Sequence, residues 1–189
     1  MARPKSEEKR DAILAAATRI IAEAGLGAPT ARIASLAGVA EGTLFTYFAT
    51  KDDLVNQLYL ALKTDLRRAL MADYPADAPL AGRVRHIWDR YVDWGVRHPA
   101  GRRAMAQLLV SDRLTPETRA QGSEGFARID GVVREGVDLG LMREQPADFV
   151  AAILTALAET TMDFIIRQPD AADRYRDAGF TALWNAISR

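Results

Sequence analysis

Apolar residues recur along this chain at the three- and four-residue spacing of helices, and no region is dominated by the two-residue alternation of a half-buried strand. Over residues 6–24, Ile13, Leu14, Ala17, Ile20, Ile21 and Ala24 form one such face, and Gly25 and Gly27 then supply the permissive backbone that ends a helix. Thr30, after Pro29, opens a second short helix with Ile33, Leu36 and Ala37 on its apolar side and Gly38 just beyond its end. A third run, residues 41–48, sets Leu44 and Phe48 on one side and leaves Thr43, Thr46 and Tyr47 on others. Two short helices about a glycine turn predict a helix-turn-helix.

Residues 51–71 continue as one long helix, with Asp52 and Asp53 in the first turn, where the helix dipole favours them, and Leu54, Leu58, Leu62 and Leu66 along one face. The Pro- and Ala-rich stretch 73–79 interrupts the pattern. Helices are expected beyond it over residues 80–98, 101–111, 116–139, 147–168 and 170–188, broken where Pro99, Pro116, Pro146 and Pro169 restrict the preceding residue. Phe149, Val150, Ile153, Leu154, Leu157, Thr161, Phe164 and Ile165 form a broad apolar stripe near the C-terminus, and Phe180, Leu183, Trp184 and Ile187 form another. The expected fold is all-α: an N-terminal three-helix DNA-binding module with a helix-turn-helix, residues 1–55, then a larger helical domain, residues 56–189.

Composition narrows the chemistry. Hydrophobic residues make up 49% of 189 positions, enough to bury a core, and the absence of cysteine excludes disulfides, thiolate metal sites and cysteine nucleophiles. A charged N-terminus without an apolar signal core, and the reading that no span of about 20 apolar residues occurs, set the expectation of a cytoplasmic chain with no membrane partner. Net charge is zero, which argues against coating nucleic acid by bulk electrostatics. The first 51 residues nevertheless hold seven cations (Arg3, Lys5, Lys9, Arg10, Arg19, Arg32 and Lys51) against five acids, which permits a local contact with DNA by a dimer. His86 and His98 are the only histidines, they lack one-turn spacing, and no glycine-rich phosphate loop is present. Adjacent acids such as Asp52-Asp53 sit in first helical turns, so no catalytic residue, metal ligand or cofactor is expected, and an enzyme is the weaker reading.

The densest pattern lies between Thr30 and Leu54: Ile33-Ala34, then Ala37-Gly38-Val39, Gly42-Thr43-Leu44-Phe45, Tyr47-Phe48 and Lys51-Asp52-Asp53-Leu54. With these motifs the stretch 8–60 closely resembles the tetracycline-repressor (TetR/AcrR) family of transcriptional regulators. The resemblance implies a ligand-responsive regulator, a repressor by expectation, that binds palindromic double-stranded operator DNA as a homodimer through its last two helices. It implies phosphate contacts from Thr30, Lys51 and Tyr47, and places Arg32, Glu41, Thr43, Phe45 and Thr46 near base edges, with Gly42 letting the helix approach the backbone closely.

The residues themselves leave alternatives open. Thr30 serves as a helix cap, a phosphate ligand or both; Lys51 is a phosphate contact or a solvated cation; Tyr47 and Phe45 either meet DNA or pack. Glu41 either accepts from cytosine N4 or is a first-turn acid favoured by the dipole. Ala31 and Ala40 are small where the family commonly carries polar side chains, which reduces direct base contacts. Further along, Trp88, Tyr91, Trp94, Met105, Leu108, Phe126, Ile129 and Met162 are candidates to line a cavity for an apolar or aromatic small-molecule effector, and each is equally ordinary core taken singly. A DNA-bound adaptor or architectural protein, governed by a protein partner without an effector, is the competing reading.

Overall fold

The computed structural model describes residues 5–189, so Arg3 of the N-terminal basic group, and the side chain of Lys5, lie outside what is described. Among the described residues the structure is helical: α1 Lys5–Ala24, α2 Thr30–Leu36, α3 Glu41–Tyr47, α4 Lys51–Met71, α5 Leu80–Arg97, α6 Pro99–Leu109, α7 Pro116–Glu124, α8 Ala127–Asp138, α9 Ala147–Arg167, a 3₁₀ turn Pro169–Ala171, and α10 Ala172–Ile187. The continuous helix expected over 116–139 is two helices, α7 and α8, separated at Gly125-Phe126. Phe126 stands ahead of α8 outside helical geometry (φ −104°, ψ 4°), and its carbonyl accepts the first bonds of that helix from Ile129 and Asp130.

The chain divides into two compact units. The first takes in the N-terminal helices as far as Asp65 together with His98–Ser123, and the second comprises Leu66–Arg97 and Glu124–Arg189. In the first, Ile13, Ala17 and Ile21 of α1 meet Ile33 of α2, Leu44 and Phe48 around α3, Leu54 and Leu58 of α4, and Ala104 and Leu108 of α6. Neither α2 nor α3 has a side-chain cap, since Pro29 and Ala40 occupy the capping positions, so this packing holds them. Gly38 adopts φ +69° between them, a left-handed conformation that closes the turn at little steric cost.

The start of α4 is capped in both directions. The Asp53 N–H donates to Thr50 Oγ1 at 3.0 Å, and Asp53 Oδ2 accepts from the Ala49 N–H at 2.9 Å, close in form to a capping box. Gln57 then donates to Asp53 Oδ1 at 2.8 Å and accepts from the Arg10 guanidinium at 2.6 Å, which ties α1 to α4. Gly122 of α7 lies so close to Tyr59 that a Cβ there would fall 2.4 Å from the ring, so only glycine permits this approach.

The second unit is built about Trp88, which is fully buried and donates its indole N–H to the Arg176 carbonyl at 3.0 Å. Val92, Met142, Ala158, Met162 and Leu183 complete the centre of its core. Paired charges line its edges: Arg83 with Glu135, and Arg176 with Asp93 at 2.7 Å. The helix α9 is long and apolar enough to cross a membrane by length and composition, which corrects the reading that no such span exists. Interspersed alanines and threonines hid the span. Val150, Ala158, Thr161, Met162 and Ile165 are buried in the unit, where α9 packs on α5 and α10, while Phe149, Phe164 and Ile166 remain exposed.

Candidate nucleic-acid interface

The seven residues of α3 separate cleanly by direction. Leu44 is fully buried, as is Phe48 just past the helix end, whereas Glu41, Gly42, Phe45 and Thr46 face solvent. Thr43 and Tyr47 are half-buried at the flanks, and Tyr47 packs against the first core. Phe45 stands 43% exposed. Gly42 has nothing within 4 Å of where a Cβ would stand, so its first-turn surface is open. The Thr46 hydroxyl donates back to the Gly42 carbonyl at 3.2 Å, leaving its methyl and oxygen lone pairs outward.

Two residues expected at the ends of this surface are differently engaged. Thr30 does not cap α2: it is the first helical residue, and its hydroxyl donates to Glu41 Oε1 at 2.6 Å. Lys51 donates from Nζ to the Ala28 carbonyl at 2.7 Å, so it clips the α1–α2 loop to the start of α4 and is not a freely solvated cation. Burial, and then the positive charge of Arg113, hold the Lys51 ammonium below the ordinary lysine value, while Asp52 acts the other way. Arg32 is exposed and, with Ala31, Ser35 and Leu36, lines a shallow depression of about 530 Å³ on α2. Leu36 was expected on the buried side of α2 and is 47% exposed, because Ile33 and Ala34 are the residues α2 turns to the core.

The segment between α6 and α7 returns to the first turn of α4. Arg113 pairs with Asp52 at 2.6 Å, and Asn56 donates to the Arg113 carbonyl at 2.9 Å while accepting the Thr115 N–H at 3.0 Å. Arg113 therefore stands near Lys51 although 62 positions separate them in the chain, and no local pattern could reveal that. The cap at Thr50 did leave a signal, a Thr followed three residues later by an acid.

The candidate effector residues are not gathered in one core. Met105 and Leu108 are buried in the first unit, whereas Trp88, Tyr91, Trp94, Phe126, Ile129 and Met162 belong to the core of the second. Tyr91 and Trp94 stack with centroids 6.4 Å apart. His86 donates from Nε2 to the Leu70 carbonyl at 3.2 Å, and among the described residues no cluster of His, Asp and Glu is arranged for a metal ion.

Comparison with known proteins bears on this geometry. Residues 13–58 match the family described as bacterial regulatory proteins, tetR family. An HTH-type transcriptional repressor of Mycobacterium tuberculosis is 44% identical over 72 residues, which cover 38% of this chain and 38% of that protein. The match thus spans well under half of the relative's length. A solved chain from a Shewanella species, assigned to the tetR family, is 26% identical and superposes with a TM-score of 0.86 over 96% of this chain and 98% of that one. The TetR-like regulator LfrR of Mycobacterium smegmatis, solved in complex with proflavine, shares the fold at 21% identity and a TM-score of 0.68, covering 93% of this chain and 95% of that one. Residues 13–58 thus carry the helix-turn-helix of the family described as bacterial regulatory proteins, tetR family, and the helical order of the rest of the chain is similar to that of solved tetR-family regulators.

Proposed function

We propose that this protein is a cytoplasmic, ligand-responsive repressor that binds palindromic operator DNA as a homodimer and leaves it when a small molecule binds. Residues 1–55 would read DNA, and residues 56–189 would carry the effector site and the dimer contact. The observation that carries the reading is α3, which buries Leu44 and turns Gly42, Phe45 and Thr46 outward. A short helix with such a face suits the major groove, where Thr43 and Thr46 reach base edges and the Phe45 ring meets a thymine methyl. Thr30, Tyr47 and Lys51 flank that face and serve phosphates, which position the helix, while Arg32 and Glu41 stand at its margin.

The stripes of α9 and α10 support pairing with a second copy in a four-helix arrangement, because Phe149 and Ile166 of α9 stay exposed and Phe164, though its ring lies against Tyr175 and Arg167, is 38% exposed. That proflavine binds the related LfrR supports an aromatic effector held among Trp88, Tyr91, Trp94, Phe126, Ile129 and Met162, with Met105 and Leu108 in a supporting core. Effector binding then selects a state in which α4, whose residues are shared between the two units, no longer holds two recognition helices at the spacing of about 34 Å that successive grooves require.

Selection of duplexes from a randomised library, followed by fluorescence anisotropy and sedimentation on the best site, tests the proposal. A palindromic consensus bound by a dimer, with affinity that falls steeply with salt and drops in Thr46→Ala and Lys51→Ala, is the expected result. A monomer without sequence preference would refute it. A thermal-shift screen of aromatic and lipophilic compounds then separates sensor from adaptor: DNA binding that no compound relieves would leave only the adaptor reading.

A further inference from the structure

The first residues of α2 and α3 are joined by the bond from Thr30 Oγ1 to Glu41 Oε1, 2.6 Å long and open to solvent. No helix cap requires it, since neither residue occupies a capping position. A threonine hydroxyl has one proton to donate. While Glu41 holds that proton, Thr30 offers an approaching phosphate only lone pairs, and the carboxylate adds its own negative charge beside them. Of the cations nearby, Arg32 is exposed and Lys51 already gives one of its donors to Ala28.

On the DNA-binding reading of α3 given above, we infer that Glu41 determines specificity by occupying Thr30. Duplex of arbitrary sequence offers phosphates alone, so binding it releases the carboxylate into a field of like charge with no donor to replace the hydroxyl. A site that places a cytosine beside the start of α3 supplies an N4 amino group, and the freed carboxylate exchanges one hydrogen bond for another. The Thr30–Glu41 bond thus weakens binding everywhere except where that base is present.

The test is a double-mutant cycle on the full-length protein with a random-sequence duplex of about 25 base pairs as the probe. Glu41→Ala is expected to tighten binding about fivefold, and most of that gain is expected to be lost in the Thr30→Ala background, the remainder being the removed charge. Glu41→Gln, nearly the same shape, provides a second variant and should gain less. Library selection should show cytosine enriched near each half-site for the wild type and the preference lost in Glu41→Ala. A gain that persists undiminished without Thr30 would mean simple removal of a charge and would overturn the inference, as would no gain in either variant or no lost cytosine preference. In those cases Lys51→Ala would still weaken binding. If Lys51→Ala had no effect and no variant bound duplex, the helix-turn-helix reading itself would fall as well.

Discussion

Thr50 and Asp53 satisfy backbone N–H groups at the entry to α4 that would otherwise lack partners. Thr50→Ala should therefore cost about 1 kcal/mol in urea unfolding, and Asp53→Ala more, because Gln57 also loses an acceptor. Unchanged midpoints in both variants would reject the cap. Glu135 gives a pH-dependent counterpart: its hydrogen bonds from Arg83 hold the carboxyl below the ordinary glutamate value of 4.5. The folded carboxylate keeps its charge to lower pH than the unfolded one, so the pair's contribution is complete above 4.5 and is lost as pH falls through the lowered folded value. Glu135→Gln should be less stable than wild type at pH 7, with the gap closed near pH 2; a constant gap would show that the pair's charge is irrelevant. At this scale the sequence was a partial guide. It singled out Thr30, Glu41 and Lys51, yet Thr30 and Glu41 are 11 positions apart and Lys51 is 23 positions from Ala28, on other elements that only folding brings together.

Helix positions were more legible, because a periodic apolar face extends over many residues and the breakers are local. The bounds of α4 coincide with those expected, and α2 and α3 end within a residue of expectation. The division of residues 116–139 was hidden because Gly125 and Phe126 are compatible with either a helix or a break, and α7 has hardly any apolar face of its own. What α7 has instead is the tight seat of Gly122 against Tyr59. Gly122→Ala should destabilise the protein by about 1–3 kcal/mol, since the ring must move. Gly131→Ala in α8, where nothing lies within 4 Å of the added carbon, should instead stabilise by up to about 1 kcal/mol. Thermal melts of the two variants shifting in the same direction would contradict the packing described for these helices.

For the molecule as a whole, the sequence made the all-helical class plain, while the sharing of core residues was out of its reach. Hydrophobic periodicity identifies Met105 and Leu108 as buried, but it does not state which core receives them, and they belong to a different core from the aromatic group around Trp88. The exposed side of α9 carries a prediction at this scale: if the protein pairs there as proposed, Phe149→Glu combined with Ile166→Glu should shift it from dimer to monomer in sedimentation and abolish the proposed operator binding, with little change in helical content. A dimer that survives both changes would place the contact elsewhere.

The first unit draws on two separate stretches of chain, the N-terminal helices and His98–Ser123, and Ala104, Met105, Leu108 and Leu114 from the later stretch fill the space behind the helix-turn-helix. A fragment cut after α4 would expose that apolar surface and should aggregate or stay loosely folded. Grafting the proposed DNA specificity onto a relative accordingly means transplanting both stretches together, with residues 66–97 left to the host.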